Sequence, residues 1–512
     1  MVGVTLLGAS TFAPGSARAI ADQPDAVSIP DSPRAADSPR TPDSPRLPDW
    51  PRLLGADYSG RSVSFPTGVD PTSQPEVAWS IDVGGGYGIG VVANGHYYHF
   101  DAVPPADDPD SDAAGLGMNR RSGTFDHRLR KIDATDGRVI WTARYPSNYQ
   151  DMYGYEAGPR TSPTVAGDAV YTAGVSGAIS CFDAADGSLR WQNQLSERYG
   201  VVQNFFGVGG SPLVHDGVVY AMVGGSPPED ADVPPGALDR LDPAGNGSLL
   251  VAMDAATGRV RWSAGEDLAS YSSPRMMTVS GRDYVLMYGR SSLWVFDTDG
   301  NVVDSFEHRA TILESVNAIT PVVTAIEDDS GKDVSGKDDS GNAFIFLSDC
   351  YQLGSVVLRF DGRSLGVVWR DPPRDRRSQS LRSHWSGPVL VDGYLYGPSG
   401  RNAPDSSLRC VRLRDGKLMW EAMPRTRTSV STLGDHLLVW SERGQATVAP
   451  LSPESFTPVA TWRVSDLATR RGGEPVALSY PCWAAPVVVG SAVLLRGDAT
   501  VVMLRYDDRS DD

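Results

Sequence analysis

Cysteine is scarce in this 512-residue chain: Cys181, Cys350, Cys410 and Cys482 are the four it has. No two are adjacent, none forms a C-x-x-C pair, and no His stands near one at ligand spacing, so the sequence suggests no metal site. Basic residues are also outnumbered, 46 to 63, for a net charge of −17. That balance argues against sequence-independent nucleic-acid binding, which needs Lys and Arg to displace counterions. Long helical periodicity is missing. The apolar run from Val2 to Ala13 is too short to cross a bilayer as a helix, so no transmembrane span is expected. What the chain has in quantity is glycine, 54 residues, the raw material of turns.

Those glycines fall in a pattern. Five stretches end in a Gly, two or three further residues and then a Trp: KIDATDGRVIW (Lys131 to Trp141), CFDAADGSLRW (Cys181 to Trp191), AMDAATGRVRW (Ala252 to Trp262), RFDGRSLGVVW (Arg359 to Trp369) and CVRLRDGKLMW (Cys410 to Trp420). In four of them an Asp stands eight positions before the Trp: Asp133, Asp183, Asp254 and Asp361. Ahead of each unit lie short Val-, Tyr- and Leu-rich runs broken by Gly-Asp or Asp-Gly, which read as β-hairpins. One repeat is then a four-stranded antiparallel sheet. A sheet of that size cannot bury both faces alone, and radial stacking does it for every copy at once. The predicted fold is all-β: an eight-bladed β-propeller.

Weaker copies fill the count. Blade four ends near Phe306, placed at the Trp position; blade five starts near Ile319; blade seven runs from Ser431 to Trp462. The last copy stops at Asp507 without its fourth strand, and a spare strand, PEVAWSIDVGG with Trp79, stands at the other end. The N-terminal strand is therefore expected to close the last blade and leave no open sheet edge. Cys181 and Cys410 each precede their Trp by ten residues. They occupy equivalent places in blades on opposite sides of the ring, too far apart to pair. The sequence leaves the pairing of Cys350 and Cys482 open.

The motif A-x-D-x-x-T-G-x-x-x-W, complete at Ala252, Asp254, Thr257, Gly258 and Trp262, resembles the tryptophan-docking motif of the pyrroloquinoline-quinone-like β-propeller repeat family. The resemblance covers about 75–507. It departs at Asp136 and Asp186, where Thr is usual, and at Arg412, where Asp is usual. It implies that Trp79, Trp141, Trp191, Trp262, Trp369, Trp420 and Trp462 pack between blades. The segment DWPRLLGADYSGRS (Asp49 to Ser62) resembles the lead-in of exported bacterial members, notably of planctomycete type. No Trp of the twelve is followed by Asp, which sets the chain apart from propellers built on a Trp-Asp dipeptide.

Residues 1–25 resemble a secretory signal, with a small-x-small site at Ala17-Arg18-Ala19 but no basic residue ahead of the apolar run. A periplasmic or extracellular location is the expectation. Residues 26–74 read as a Pro-rich disordered linker and lead-in, with Asp-Ser-Pro-Arg repeated three times. The propeller is assigned to 75–508. Residues 328–342, DDSGKDVSGKDDSGN, read as a disordered insertion in blade five.

Loops entering the innermost strands of a propeller converge around its axis, the default ligand site. Here they carry Tyr87, Tyr155, Glu156, Arg160, Asn204, Phe205, Tyr271, Glu314, Asn317, His384, Trp385, Tyr480 and Trp483. Such side chains either cap and plug the channel or hold a planar or sugar-like ligand. Family dehydrogenases stack their quinone on an adjacent Cys-Cys pair and use Ca²⁺ with a catalytic Asp. This chain has no such pair, and Asp267 is the nearest candidate Asp. The expected function is a non-enzymatic module binding an unknown protein or small molecule, with no cofactor. The alternative is a quinone- and calcium-dependent alcohol or sugar dehydrogenase.

Overall fold

A computed structural model describes residues 47–62, 65–106, 123–149, 158–201, 207–228, 244–312, 315–324, 342–470 and 473–507. Expectations for the signal segment, most of the linker and nearly all of the insertion fall outside these. The described residues form eight four-stranded antiparallel sheets. Blade 1 consists of Val91–Ala93, His96–Val103, Gly123–Asp133 and Val139–Tyr149. Blades 2 to 7 occupy 164–194, 213–264, 275–307, 322–370, 389–422 and 428–463 in turn. Helix among the described residues is confined to single turns such as Leu195–Arg198, and no described helix is long and apolar enough to cross a membrane.

Four of the inner hairpins turn on two residues of positive φ. Asn94-Gly95, Asp216-Gly217, Ser280-Gly281 and Asp392-Gly393 all have it. That is the type I′ geometry whose twist matches the flanking strands, and Asn, Asp and Gly tolerate it best. Blade 8 joins the two ends of the chain. Its strands Val487–Val489, Ala492–Arg496 and Thr500–Arg505 are completed by Glu76–Asp82, with Trp79 opposite Met503 and Val77 opposite Leu504.

Six of the seven docking indoles donate to a carbonyl in the turn of the following blade. Trp79 Nε1 donates to the Ala134 carbonyl at 3.1 Å, Trp141 to Ala184 at 3.2 Å and Trp191 to Ala255 at 2.9 Å. Trp262 donates to Thr298 at 3.1 Å, Trp369 to Leu413 at 2.6 Å and Trp420 to Ser452 at 2.8 Å. Trp462 packs in the cluster that holds Leu504 and Tyr506 of blade 8. Blade 4 differs from expectation. Phe306 pairs with Leu293, whereas the register that seats a Trp elsewhere puts Asp304 opposite Val295. Its carboxylate takes the Leu365 amide of blade 5 at 2.7 Å, so a carboxylate replaces the indole at that seam.

All four cysteines are buried and free. Cys181 and Cys410 lie opposite Tyr171 and Tyr396 in matching registers. Cys350 and Cys482 are not bonded to each other.

Residues 47–62 correct the expectation of a disordered stretch. Trp50 is 6% exposed and exchanges backbone hydrogen bonds with Val92 at 2.7 and 3.0 Å. The chain then runs inside the ring. Pro51 accepts from the Val165 amide, Tyr58 from the Arg275 guanidinium at 3.1 Å, and Gly60 from the Ser431 hydroxyl at 2.9 Å. Arg61 donates to the Leu390 carbonyl at 3.1 Å. One segment thus ties the inner strands of blades 1, 2, 4, 6 and 7. Trp, Leu and Tyr there supply the apolar area that the Pro-Arg repeats before it lack.

Candidate functional site

The segment through Leu53, Leu54 and Tyr58 makes the floor of a central cavity of about 290 Å³. Its wall is built from the loops that enter the inner strands, and these place Tyr87, Arg160, Tyr271, His384, Trp385 and Trp483 on the lining. Three lining groups were not singled out in the sequence: Tyr351, Arg401 and Arg427. Arg427 sits just before the inner strand of blade 7, in a loop of the same class, so the signal was there. Tyr351 and Arg401 come from the second-to-third strand loops of blades 5 and 6, which topology returns to the same face.

The remaining expected residues sort differently. Asn317 is 1% exposed, and its amide donates to the Gly289, Arg290 and His308 carbonyls at 3.0 to 3.2 Å. It ties loops together and does not line the cavity. Tyr480 is 47% exposed and stands edge-on to Trp483 at 6.1 Å, outside the cavity lining. Tyr155, Glu156, Asn204, Phe205 and Glu314 lie outside the described residues.

The wall is a run of aromatic rings, tilted or edge-on to one another, and guanidinium groups. Tyr87 and Trp483 have centroids 4.8 Å apart, and Trp385 and Trp483 5.7 Å. Arg427 lies 4.9 Å from the Trp385 ring and 5.2 Å from that of Trp483. It also donates to the Arg401 carbonyl at 3.0 Å and to Asn402 Oδ1. Arg401 lies 5.2 Å from the Tyr351 ring, and Arg160 5.5 Å from that of Tyr87. Such cation–π contacts hold the positive groups against apolar walls. Glu442 stands behind this layer, accepting from Trp483 Nε1 at 3.0 Å. No Asp or Glu is among the described lining residues.

His384 shares a 3.1 Å hydrogen bond between its Nε2 and the Tyr351 hydroxyl. Burial pushes its pKa down to about 3, with Arg401 and Arg427 adding to the shift. It is neutral at pH 7 and acts there as a hydrogen-bonding group. Asp267 is not a catalytic candidate. It is 3% exposed, and its oxygens accept from the Leu268, Ser291 and Ser292 amides and from Trp294 Nε1 at 2.8 to 3.2 Å. A carboxylate so fully engaged is a loop clamp.

No curated protein sequence matches the chain. Among solved structures it is similar to BamB from Moraxella catarrhalis, with 13% identity over 86% of this chain and 100% of that one, at a TM-score of 0.49. It is also similar to the quinohemoprotein alcohol dehydrogenase from Comamonas testosteroni, with 15% identity over 90% and 80% of the two chains, at 0.40. Likeness at this level concerns the fold alone. Residues 126–334, from the third strand of blade 1 into blade 5, match the PQQ-repeat family model described as "Outer membrane protein assembly factor BamB".

Proposed function

We propose that this chain is an exported, non-enzymatic propeller whose central cavity binds a planar anionic ligand. The observation that carries the reading is the composition of the wall: three guanidinium groups among tilted aromatic rings, with no described carboxylate on the lining itself and Glu442 behind it, 3.9 Å from Arg427. Rings offer a face for a planar group, and Arg offers two parallel donors for carboxylate or phosphate. The floor made by residues 53–60 limits ligand length, so a small molecule or the tip of a peptide fits better than a threaded chain. The family description of 126–334 as an assembly factor supports a binding role over a catalytic one.

The dehydrogenase alternative fits the residues less well. A quinone carrying carboxylates suits the arginines and indoles. A Ca²⁺ does not suit them, because its oxygen ligands are mainly carboxylates and none is among the described lining groups. Asp267 is committed elsewhere, and no adjacent Cys pair exists.

The test uses Trp385 and Trp483 as reporters. Titration with pyrroloquinoline quinone, and separately with a simple aromatic dicarboxylate, is expected to quench indole fluorescence saturably. Arg401→Ala and Arg427→Ala should weaken binding by about tenfold each, the loss of about 1.4 kcal/mol per charged contact. Absence of saturable quenching by either compound sinks the reading. Dye reduction on adding an alcohol or sugar with quinone and Ca²⁺ would establish the dehydrogenase instead. Cell fractionation tests export; recovery in the cytoplasm alone contradicts it.

A further inference from the structure

On the far side of the ring from the cavity mouth, the inner hairpin of blade 3 turns at His215-Asp216-Gly217. His215 Nε2 lies 2.9 Å from Asp283 Oδ2 of blade 4 and 3.5 Å from Asp216 Oδ2. One imidazole nitrogen thus faces two carboxylates from two blades, with all three ligand atoms within 4.8 Å of one another. Tetrahedral zinc with bonds of about 2.0–2.1 Å separates its ligands by about 3.3–3.4 Å. The two measured separations bracket that value, and the two carboxylate oxygens, within 4.8 Å of each other, close the rest of the way by rotation of the exposed Asp216 side chain.

The surroundings favour a cation. Asp216 is 88% exposed at its side chain, which leaves an open position for water. Thr278 Oγ1 donates to Asp283 Oδ1 at 2.6 Å. That orients the other oxygen toward His215, as an outer hydrogen bond does for metal ligands. Arg261 is also nearby, but it is engaged with Asp254 at 2.7 Å and the Gly217 carbonyl at 3.3 Å. None of the three ligand residues lines the central cavity.

We propose that His215, Asp216 and Asp283 form a site for one divalent ion of the zinc class, bridging blades 3 and 4. An imidazole with two carboxylates suits zinc, cobalt or copper and not calcium or magnesium, whose ligands are all oxygen.

The test is a zinc titration of untagged, chelator-stripped protein against a chromophoric competitor. The parent is expected to bind one equivalent in the micromolar range. His215→Gln and Asp283→Asn should each lose at least tenfold in affinity, while His436→Gln, at the other exposed His-Asp pair, should not. Zinc should raise the Tm of the parent and leave that of His215→Gln unmoved. Cobalt should give a visible d–d band of tetrahedral intensity in the parent only. Circular dichroism verifies folding, and Asp216→Asn in the exposed turn serves if the other variants misfold. Equal zinc affinity in parent and variants overturns the site, as does no bound equivalent at about 100 μM zinc.

Discussion

At the scale of single residues, the seams between blades rest on an indole and a glycine that fit one another. Gly258 has φ +73°, and a Cβ there would lie 2.6 Å from the Trp191 ring. The same close approach recurs at Gly137, Gly187, Gly300 and Gly416 against the Trp of the preceding blade. Gly258→Ala is therefore expected to cost about 1–3 kcal/mol through overpacking, on top of about 1 kcal/mol of backbone strain at its φ. Gly281→Ala, with φ +72° but nothing within 4 Å, should cost about 1 kcal/mol from backbone strain alone. Trp191→Ala should cost about 3–5 kcal/mol, and Trp191→Phe, which loses mainly the bond to Ala255, about 1 kcal/mol more than a neutral change. Urea midpoints check all four; equal losses for the two glycines would contradict the packing argument.

Buried histidines give a pH dependence at the same scale. Burial alone lowers His127 to about 3, and burial aided by two arginines lowers His384 to about 3. His99 and His308 shift the same way, for burial first. Their unfolded pKa is about 6.5. The unfolded chain therefore takes up protons first as pH falls, and stability present above about 6.5 is lost toward 3. His127 and His384 each contribute on the order of 1.4 kcal/mol per pH unit in that window. Carboxylates held low, such as Asp405 beside Arg382, act only below about 4. Urea midpoints at pH 7, 5.5 and 4 should fall steadily, and a flat profile to pH 4 would refute the neutral burial of these rings.

At the scale of elements, a bulge and a plug decide what the strands can do. In seven blades the register between third and fourth strands shifts by one residue just before the docking position. Such a bulge bends the strand and re-aims the next side chain, here toward the neighbouring blade. The plug was legible in part. Trp50, Gly55 and Gly60 stand in a lead-in motif, but nothing local says that it crosses the ring. Gly55 has φ +83°, and a Cβ there would lie 3.3 Å from the Trp50 ring, so the segment folds back on itself at this glycine. Deleting residues 1–62 should turn the cavity into an open channel. A lower Tm and loss of the fluorescence response to planar anions are the expected results; unchanged binding would show that the floor plays no part.

At the scale of the whole molecule, the ring is closed by pairing residue 76 with residue 505, the costliest loop closure in the chain and the last contact to be repaid. Removing 1–82 should expose the edge of Thr500–Arg505 and drive association through it, visible as oligomers in size exclusion; a stable monomer would mean that the edge is otherwise protected. Of the expected funnel residues, Tyr87, Arg160, Tyr271, His384, Trp385 and Trp483 do meet around the axis. They were readable because loop position follows from strand order. Asn317 and Asp267 were not readable as clamps, because a polar residue in a loop looks the same whether it faces the cavity or bonds the loop's own backbone.

The sequence by itself determined the number of blades, the closing strand and the docking indoles at most seams. These follow from periodic local signals, and repetition makes each copy confirm the others. Tertiary structure alone decided that Asp304 takes the docking place in blade 4, that Tyr351 and Arg401 join the cavity wall, and that residues 47–62 close its floor. Each of these depends on a through-space meeting of segments far apart in the chain, and such meetings leave no mark on local composition or spacing.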